Sequence, residues 1–466
     1  MKQKTRRKGF CAILAAVLAA GAVSGCSAQL KKTDDNGIVE ISIGGWPEQD
    51  SDVSYARYED WLKRYNELYP NVKVEKDSWA YSYDTFLAKA ASNMLPSVYT
   101  TFFTEIKKIQ SASYAADITK QVEDYHYLEN LNEDLVSICK NDGKFYTVPK
   151  SAYALCLVAN KSLFEEIGQV DEDGYAVLPQ TIEELTETAV KIKEKTGKIG
   201  FIMPSMQKQG GWIFSNLAWE FGVEFIKQEG DSYKAAFDSQ EMRDALQWLY
   251  DMKWKYEVLG DNAFVDANEV VKVFGSGNGA MYVGQATEGK IKTMIHGYQF
   301  DKDNLVLGQV PGGPGGRYSL IGGDVWVLNN NLDEAQKNAV FDWLDLTGSG
   351  PELNEDSLDS IDRYYKDLNQ LGSVVGYTGL EIWKSGPICD AYDEARKKYC
   401  NVDVNNFREY DSFDSTTLKS EEPVHCQDLY DVLDGLVQEV LSNQNVDIAA
   451  IIKTAADNFQ RNFLDE

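Results

Sequence analysis

The stretch VEISIGGWPEQDSDVSYARYEDWLKRYNELYPNVKV, residues 39–74, decides the fold. From Val39 to Gly44, apolar and polar side chains alternate with the period of a half-buried strand. After a loop holding Trp46 and Pro47, the apolar positions Tyr55, Tyr58, Leu62, Tyr65 and Tyr69 recur at helical spacing until Pro70 stops them. Val72 and Val74 then read as a second strand. Strand, helix and strand in such short order imply a sheet covered by helices.

The same alternation continues downstream. Thr181 and Glu184 form a capping-box pattern ahead of Leu185, Ala189 and Ile192, and Gly197 closes that helix before a strand-like segment from Gly200 to Met203. Met242, Leu246, Leu249 and Tyr256 mark another amphipathic helix. The chain is therefore α/β, and its 466 residues exceed the ~250–300 at which one core stops growing, so two domains are expected. No fixed-period repeat is present, and low-complexity composition is confined to Gly308–Gly316.

At the N-terminus, Lys2, Lys4, Arg6, Arg7 and Lys8 precede an apolar run from Phe10 to Val23. That order is an export signal, too short for a spanning helix of about 20 apolar residues. Val23-Ser24-Gly25-Cys26 resembles a bacterial lipobox, in which the cysteine thiol takes a diacylglyceryl group before cleavage. The resemblance implies a signal peptide over 1–25, lipidation at Cys26, and a flexible tether over 26–36; an ordinary secretory signal cleaved nearby is the alternative. The Arg6-Arg7 pair lacks the rest of a twin-arginine consensus, which favours the general export route.

The formal net charge is −27, and cleavage would remove five basic residues and no acidic one, making the mature chain more acidic still. So acidic a chain is not expected to bind nucleic acid. Of the cysteines outside the signal and lipobox, Cys139 and Cys156 sit in apolar surroundings, whereas Cys389, Cys400 and Cys426 are able to supply one disulfide that sequence does not assign. Without CxxC spacing, and with only His126, His296 and His425 available, no structural zinc is expected. Gly284–Lys290 spells GxxxxGK, but Ile291 stands where a phosphate-binding loop needs Ser or Thr. Asn401, Asp403 and Asn405 open like a calcium loop, yet Asn406 replaces the turn glycine and Ser412 the bidentate glutamate. No metal and no cofactor are assigned.

Several stretches together resemble the extracellular solute-binding proteins of sugar transporters, the maltose-binding class among them. They are Asp142–Pro149 with Asn160–Phe164, then Pro179–Leu185, Phe274–Met281 and Gly322–Trp326, whose order persuades more than any one match. The segment from Pro351 to Thr417 fits worst. The resemblance implies a two-lobed, periplasmic-binding-protein-like α/β fold with a hinge and a ligand cleft between the lobes. Lobe one is expected over 37–148 and 304–350, and lobe two over 149–303 and 351–466. The implied role is to capture a carbohydrate, an oligosaccharide above all, outside the cell and deliver it to the permease of an ABC importer, from a lipid anchor on the membrane's extracytoplasmic face.

A sugar offers hydroxyls at its rim and C–H patches on its faces, so its site needs aromatic plates with amides and carboxylates. Loops after strand ends are where open α/β sheets hold ligands. Such positions hold Trp46, Glu48, Tyr81, Phe103 and Glu105 from lobe one, and Trp212, Gln285 and Glu288 from lobe two, with Asp324 on the returning strand. Trp46 and Trp212 are expected to face each other across the cleft. Trp61, Trp248 and Trp254 lie on amphipathic helices and read as packing. The rival readings are a surface glycosidase, a sensor of the same fold, and a binder of peptides or polyamines. No GxSxG or HExxH motif supports an enzyme.

Overall fold

The computed structural model describes residues 37–49, 52–83, 85–230, 232–412 and 417–465. The signal peptide, Cys26 and the tether therefore lie outside the described residues. Nine strands organise the chain: β1 (Val39–Ile43), β2 (Val72–Lys76), β3 (Val98–Phe102), β4 (Thr147–Ala154), β5 (Cys156–Asn160), β6 (Met281–Gly284), β7 (Leu305–Gly308), β8 (Ser319–Leu328) and β9 (Leu418–Ser420). Two short hairpins, Lys140–Asn141 with Lys144–Phe145 and Ile226–Glu229 with Ser232–Ala235, complete the strands.

The opening βαβ unit forms as its periodicity requires. β1 pairs β2 in parallel from Val39↔Val72 to Ile43↔Lys76, and the intervening helix spans Asp52–Leu68. The larger sheet runs β9-β8-β3-β1-β2, with β4 paired to β8. β8 is its pivot: β4 follows its 321–327 stretch, β3 pairs at 324–328 and β9 at 319–321. A second sheet, β6-β5-β7, is antiparallel throughout.

Each sheet has its own core. One cluster gathers Ile41, Ile43, Tyr99, Val148, Val325 and Trp343. Another gathers Leu155, Phe201, Leu246, Met281, Leu320 and Leu433. The alternation of β5 shows how the smaller sheet is buried on both faces. Its Leu157 and Ala159 enter that second cluster, while Cys156 and Val158 enter a third with Phe274, Leu305 and Phe407. β4 and β8 cross from one core to the other, since Val148 and Val325 belong to the first, while Tyr153 packs against the second and Leu320 belongs to it.

The boundaries differ from the expected ones in two places. β7 packs with the second and third clusters, so residues 305–308 belong to the second lobe and the return to the first occurs within β8. The segment 351–466 does not stay in lobe two. Ile361, Ile388, Ala391 and Ala395, from the helices Glu355–Gln370 and Gly386–Tyr399, and Trp383 from the segment between them fill the first core. The helices Cys426–Ser442 and Ile448–Phe459 close the second. Both placements follow from apolar faces that only tertiary contact can assign.

The helix Ile182–Thr196 is capped by the Thr181 hydroxyl accepting from the Glu184 amide at 3.1 Å and by Gly197, left-handed at φ 70°, while the Glu184 carboxylate accepts from the Gln180 amide at 2.7 Å and so does not complete the expected capping box. Gly200–Met203 is not a strand. Its amides reach separate partners, Gly200 to the Val258 carbonyl and Ile202 to that of Met281, so no ladder forms. All five described cysteines are free, and the disulfide left open for Cys389, Cys400 and Cys426 is not formed. No described helix is long and apolar enough to cross a membrane.

Candidate functional site

The hinge strands carry functional groups on both sides. After β3, the chain turns through Phe103–Glu105, which places the Glu105 carboxylate in a pocket where it is only 2 % exposed. It is held there by the Tyr81 hydroxyl at 2.5 Å, the Thr104 hydroxyl at 3.4 Å and the Lys108 ammonium at 3.6 Å. The Phe103 ring sits against Gly323 of β8, where a Cβ would come within 2.6 Å of its Cζ and 2.1 Å of the Ser151 carbonyl. Only glycine lets β8, β4 and Phe103 approach so closely.

Facing this group, Tyr153 of β4 meets Trp212 edge to face, with centroids 6.2 Å apart. Glu421, just after β9, accepts from the Tyr430 hydroxyl at 2.7 Å. Desolvation raises the Glu421 carboxyl to about 7, with the nearby Glu105 charge adding to the shift and Tyr430 and Trp212 opposing it. Asp324 accepts from Ser151 at 3.1 Å. Two bonds then span the lobes. The Tyr83 hydroxyl donates to Asp428 at 3.1 Å, and the Gln427 amide donates to Thr104 at 3.3 Å.

A cavity of about 410 Å³ opens on the other side of the crossing strands. Arg57 and Trp61 of the first helix form one wall and Lys150–Ala152 of β4 form the floor. Tyr364, Tyr365 and Tyr392 face Tyr377 across it. The Tyr377 hydroxyl bonds the Ala286 carbonyl at 2.8 Å, which ties this wall to the end of β6. The cavity thus lies between the two lobes and has the size and aromatic lining of a small-molecule site.

Four of the nine ligand residues expected from sequence converge on the crossing: Tyr81, Phe103, Glu105 and Trp212. Asp324 lies on β8 beside them, half-buried. Gln285 is half-buried next to Ala286, whose carbonyl accepts from Tyr377, and does not itself line the cavity. Trp46 is a correction. It is 4 % exposed, edge-on to Tyr58 at 5.1 Å and 5.9 Å from Trp343, inside the first core with no face left for a ligand. Glu48 is exposed and takes part in no cluster at the site. Glu288 begins the helix Glu288–Tyr298, and its side chain lies outside the described residues.

Trp212 also departs from its expected setting. It sits in the helix Gln209–Trp219 rather than a loop, at 7 % exposure, so only its edge toward Glu421 borders the cleft. The residues that sequence reasoning missed are Arg57, Trp61, Lys150 and the tyrosines of 364–392. The tyrosines alone carry a sequence signal, the aromatic density of the segment from Pro351 to Thr417 that fits the family resemblance worst. Among the described residues, no group of three His, Cys, Asp or Glu side chains is placed to hold a metal.

Residues 50–347 match the family described as bacterial extracellular solute-binding protein. No curated protein sequence matches the chain. Among solved structures, it is similar to the GacH receptor of Streptomyces glaucescens, solved unliganded and with acarbose, at TM-score 0.66 and 18 % identity over 92 % of this chain and 98 % of that one. It is similar to the cyclic alpha-maltosyl-1,6-maltose binding protein of Arthrobacter globiformis at TM-score 0.63 and 19 % identity, covering 90 % and 98 %. UgpB of Mycobacterium tuberculosis, in complex with glycerophosphocholine, gives TM-score 0.65 and 14 % identity, covering 91 % and 98 %. At these identities the likeness shows a shared fold.

Proposed function

From the premise that the chain belongs to the bacterial extracellular solute-binding proteins, a family of binding proteins and not of enzymes, we propose that it captures a carbohydrate and delivers it to an ABC importer. The observation that carries this reading is the cavity between the lobes, walled by Trp61 and four tyrosines and floored by the hinge strand β4. Aromatic faces remove the C–H faces of a sugar from water, while hydroxyl, amide and guanidinium groups meet its rim. Cys26 lipidation holds the protein at the outer face of the membrane, within reach of the permease. Two acyl tails matter here, because a single chain anchors only marginally.

Closure about β4 and β8 links binding to delivery. A ligand enclosed by both lobes has more contacts in the closed form, and that difference shifts the population. A thermal-shift screen over neutral and acidic oligosaccharides, glycerophosphodiesters, peptides and polyamines tests the ligand class. A saccharide at 100 times its Kd stabilises by about 2.7 kcal/mol. Stabilisation by peptides or polyamines alone would sink the carbohydrate reading, and release of reducing sugar would replace it with a hydrolase.

A further inference from the structure

The cavity between the lobes has a charge opposite to that of the chain. In a protein with 73 acidic and 46 basic residues, the charged groups on its walls are Arg57, Lys150, Arg396 and Glu381. Arg396 and Glu381 satisfy one another through a 2.7 Å bond, and Arg396 also binds Asp393. Arg57 and Lys150 remain. Among the described residues neither side chain has an ion pair or a hydrogen bond, and the Arg57 Nε is buried with no acceptor.

Both cations rest on aromatic rings instead. The Arg57 guanidinium lies 5.9 Å from the Trp61 ring and the Lys150 ammonium 4.8 Å from that of Trp326. Lys150 is open to solvent through the cavity yet crowded by protein, and that crowding lowers its pKa. Asp324, whose field opposes the shift, is engaged by Ser151. A buried cationic N–H without an acceptor carries a desolvation cost that an incoming anion removes.

We propose that this cavity takes a saccharide bearing an oxyanion, either a carboxylate or a phosphate. The Arg57 guanidinium and the Lys150 ammonium bind the charged oxygens, and the sugar ring lies against Trp61 and the tyrosine wall. This rests on the carbohydrate reading above and narrows it to an acidic class. Arg57 supplies a planar pair of donors matched to a carboxylate or phosphate edge, and Lys150 a point charge.

The test is calorimetric titration of the full-length protein with digalacturonate, its neutral analogue galactobiose, glucose 1-phosphate, and acetate and inorganic phosphate alone. An acidic sugar is expected to bind at least about tenfold tighter than the neutral analogue, by a margin that shrinks as salt is added. Combining Arg57→Gln with Lys150→Met brings that ratio to about one, and Lys150→Arg keeps most of it. Whichever acidic sugar binds tighter identifies the carboxylate or the phosphate as the group recognised. Should the double variant fail to fold, the salt dependence of the unaltered protein decides. Galactobiose binding as tightly as both acidic sugars overturns the proposal while leaving the carbohydrate reading intact. Acetate or phosphate alone binding as tightly as the sugars also overturns it. If no saccharide binds and peptides or polyamines do, both readings fall.

Discussion

Trp46 shows how far a single residue is legible. Its place just after β1 is read correctly, but backbone bonds from Gly45 to Trp79 and from Trp46 to Asp77 fold the loop back onto the sheet. The ring is then sealed under Trp343, a contact 297 positions away that no local pattern encodes. Trp46→Ala is expected to cost ~3–5 kcal/mol of stability, read as a fall in ligand-free melting temperature with affinity kept in the folded fraction. Lost affinity at an unchanged melting temperature would return the ring to the cleft. Glu105 drew notice only from its place directly after a strand end, and the structure buries it at the crossing, whereas Arg57 on an amphipathic helix reads like any solvated cation. At Cys26 the expectation is chemical: Cys26→Ala leaves folding unchanged and moves the protein from the membrane to the soluble fraction. Continued partitioning with membranes would exclude the lipid anchor.

Among elements, those with a full period or a cap were legible, as β1, β2 and the helix Ile182–Thr196 show. Gly200–Met203 had strand composition but no partner edge, and composition does not reveal pairing. The two helices of 355–399 were assigned to the wrong lobe because an amphipathic face says that a helix packs, not against what. Helix contact also gives a sharp prediction. The helices Gln209–Trp219 and Cys426–Ser442 approach so closely at Gly211 that a Cβ there would lie 2.1 Å from the Tyr430 carbonyl oxygen. Gly211→Ala should separate them and cost about 1–3 kcal/mol, seen as a lower denaturation midpoint. Gly435, on the second of these helices, has nothing within 4 Å of its would-be Cβ. Gly435→Ala should therefore stabilise by roughly 0.5–1 kcal/mol through helix propensity. If both changes lower the midpoint equally, close helix approach is not the cause.

At the scale of the molecule, buried acids set a pH dependence. Desolvation raises Glu220 to about 9, and Glu421, Glu422 and Asp345 each to about 7. With folded pKa values above the unfolded ~4.3 for Glu and ~3.9 for Asp, the folded state binds more protons. Stability is therefore expected to fall from mildly acidic pH to about 9, and Glu421→Gln to flatten part of that slope. A melting temperature that rises over the same interval would contradict it. Closure about β4 and β8 predicts a smaller radius of gyration in scattering at saturating ligand, and an unchanged radius would rule out the hinge. The bonds from Tyr83 to Asp428 and from Gln427 to Thr104 bear on time as well as shape. They tie one lobe to the other, so the interlobe rotation that lets a bound solute out proceeds only after both have parted, and they act on the escape rate and hardly on the encounter rate. Tyr83→Phe should therefore shorten the dwell time of the bound solute in stopped-flow release while its capture rate stays the same, turning a slow courier into a quick one.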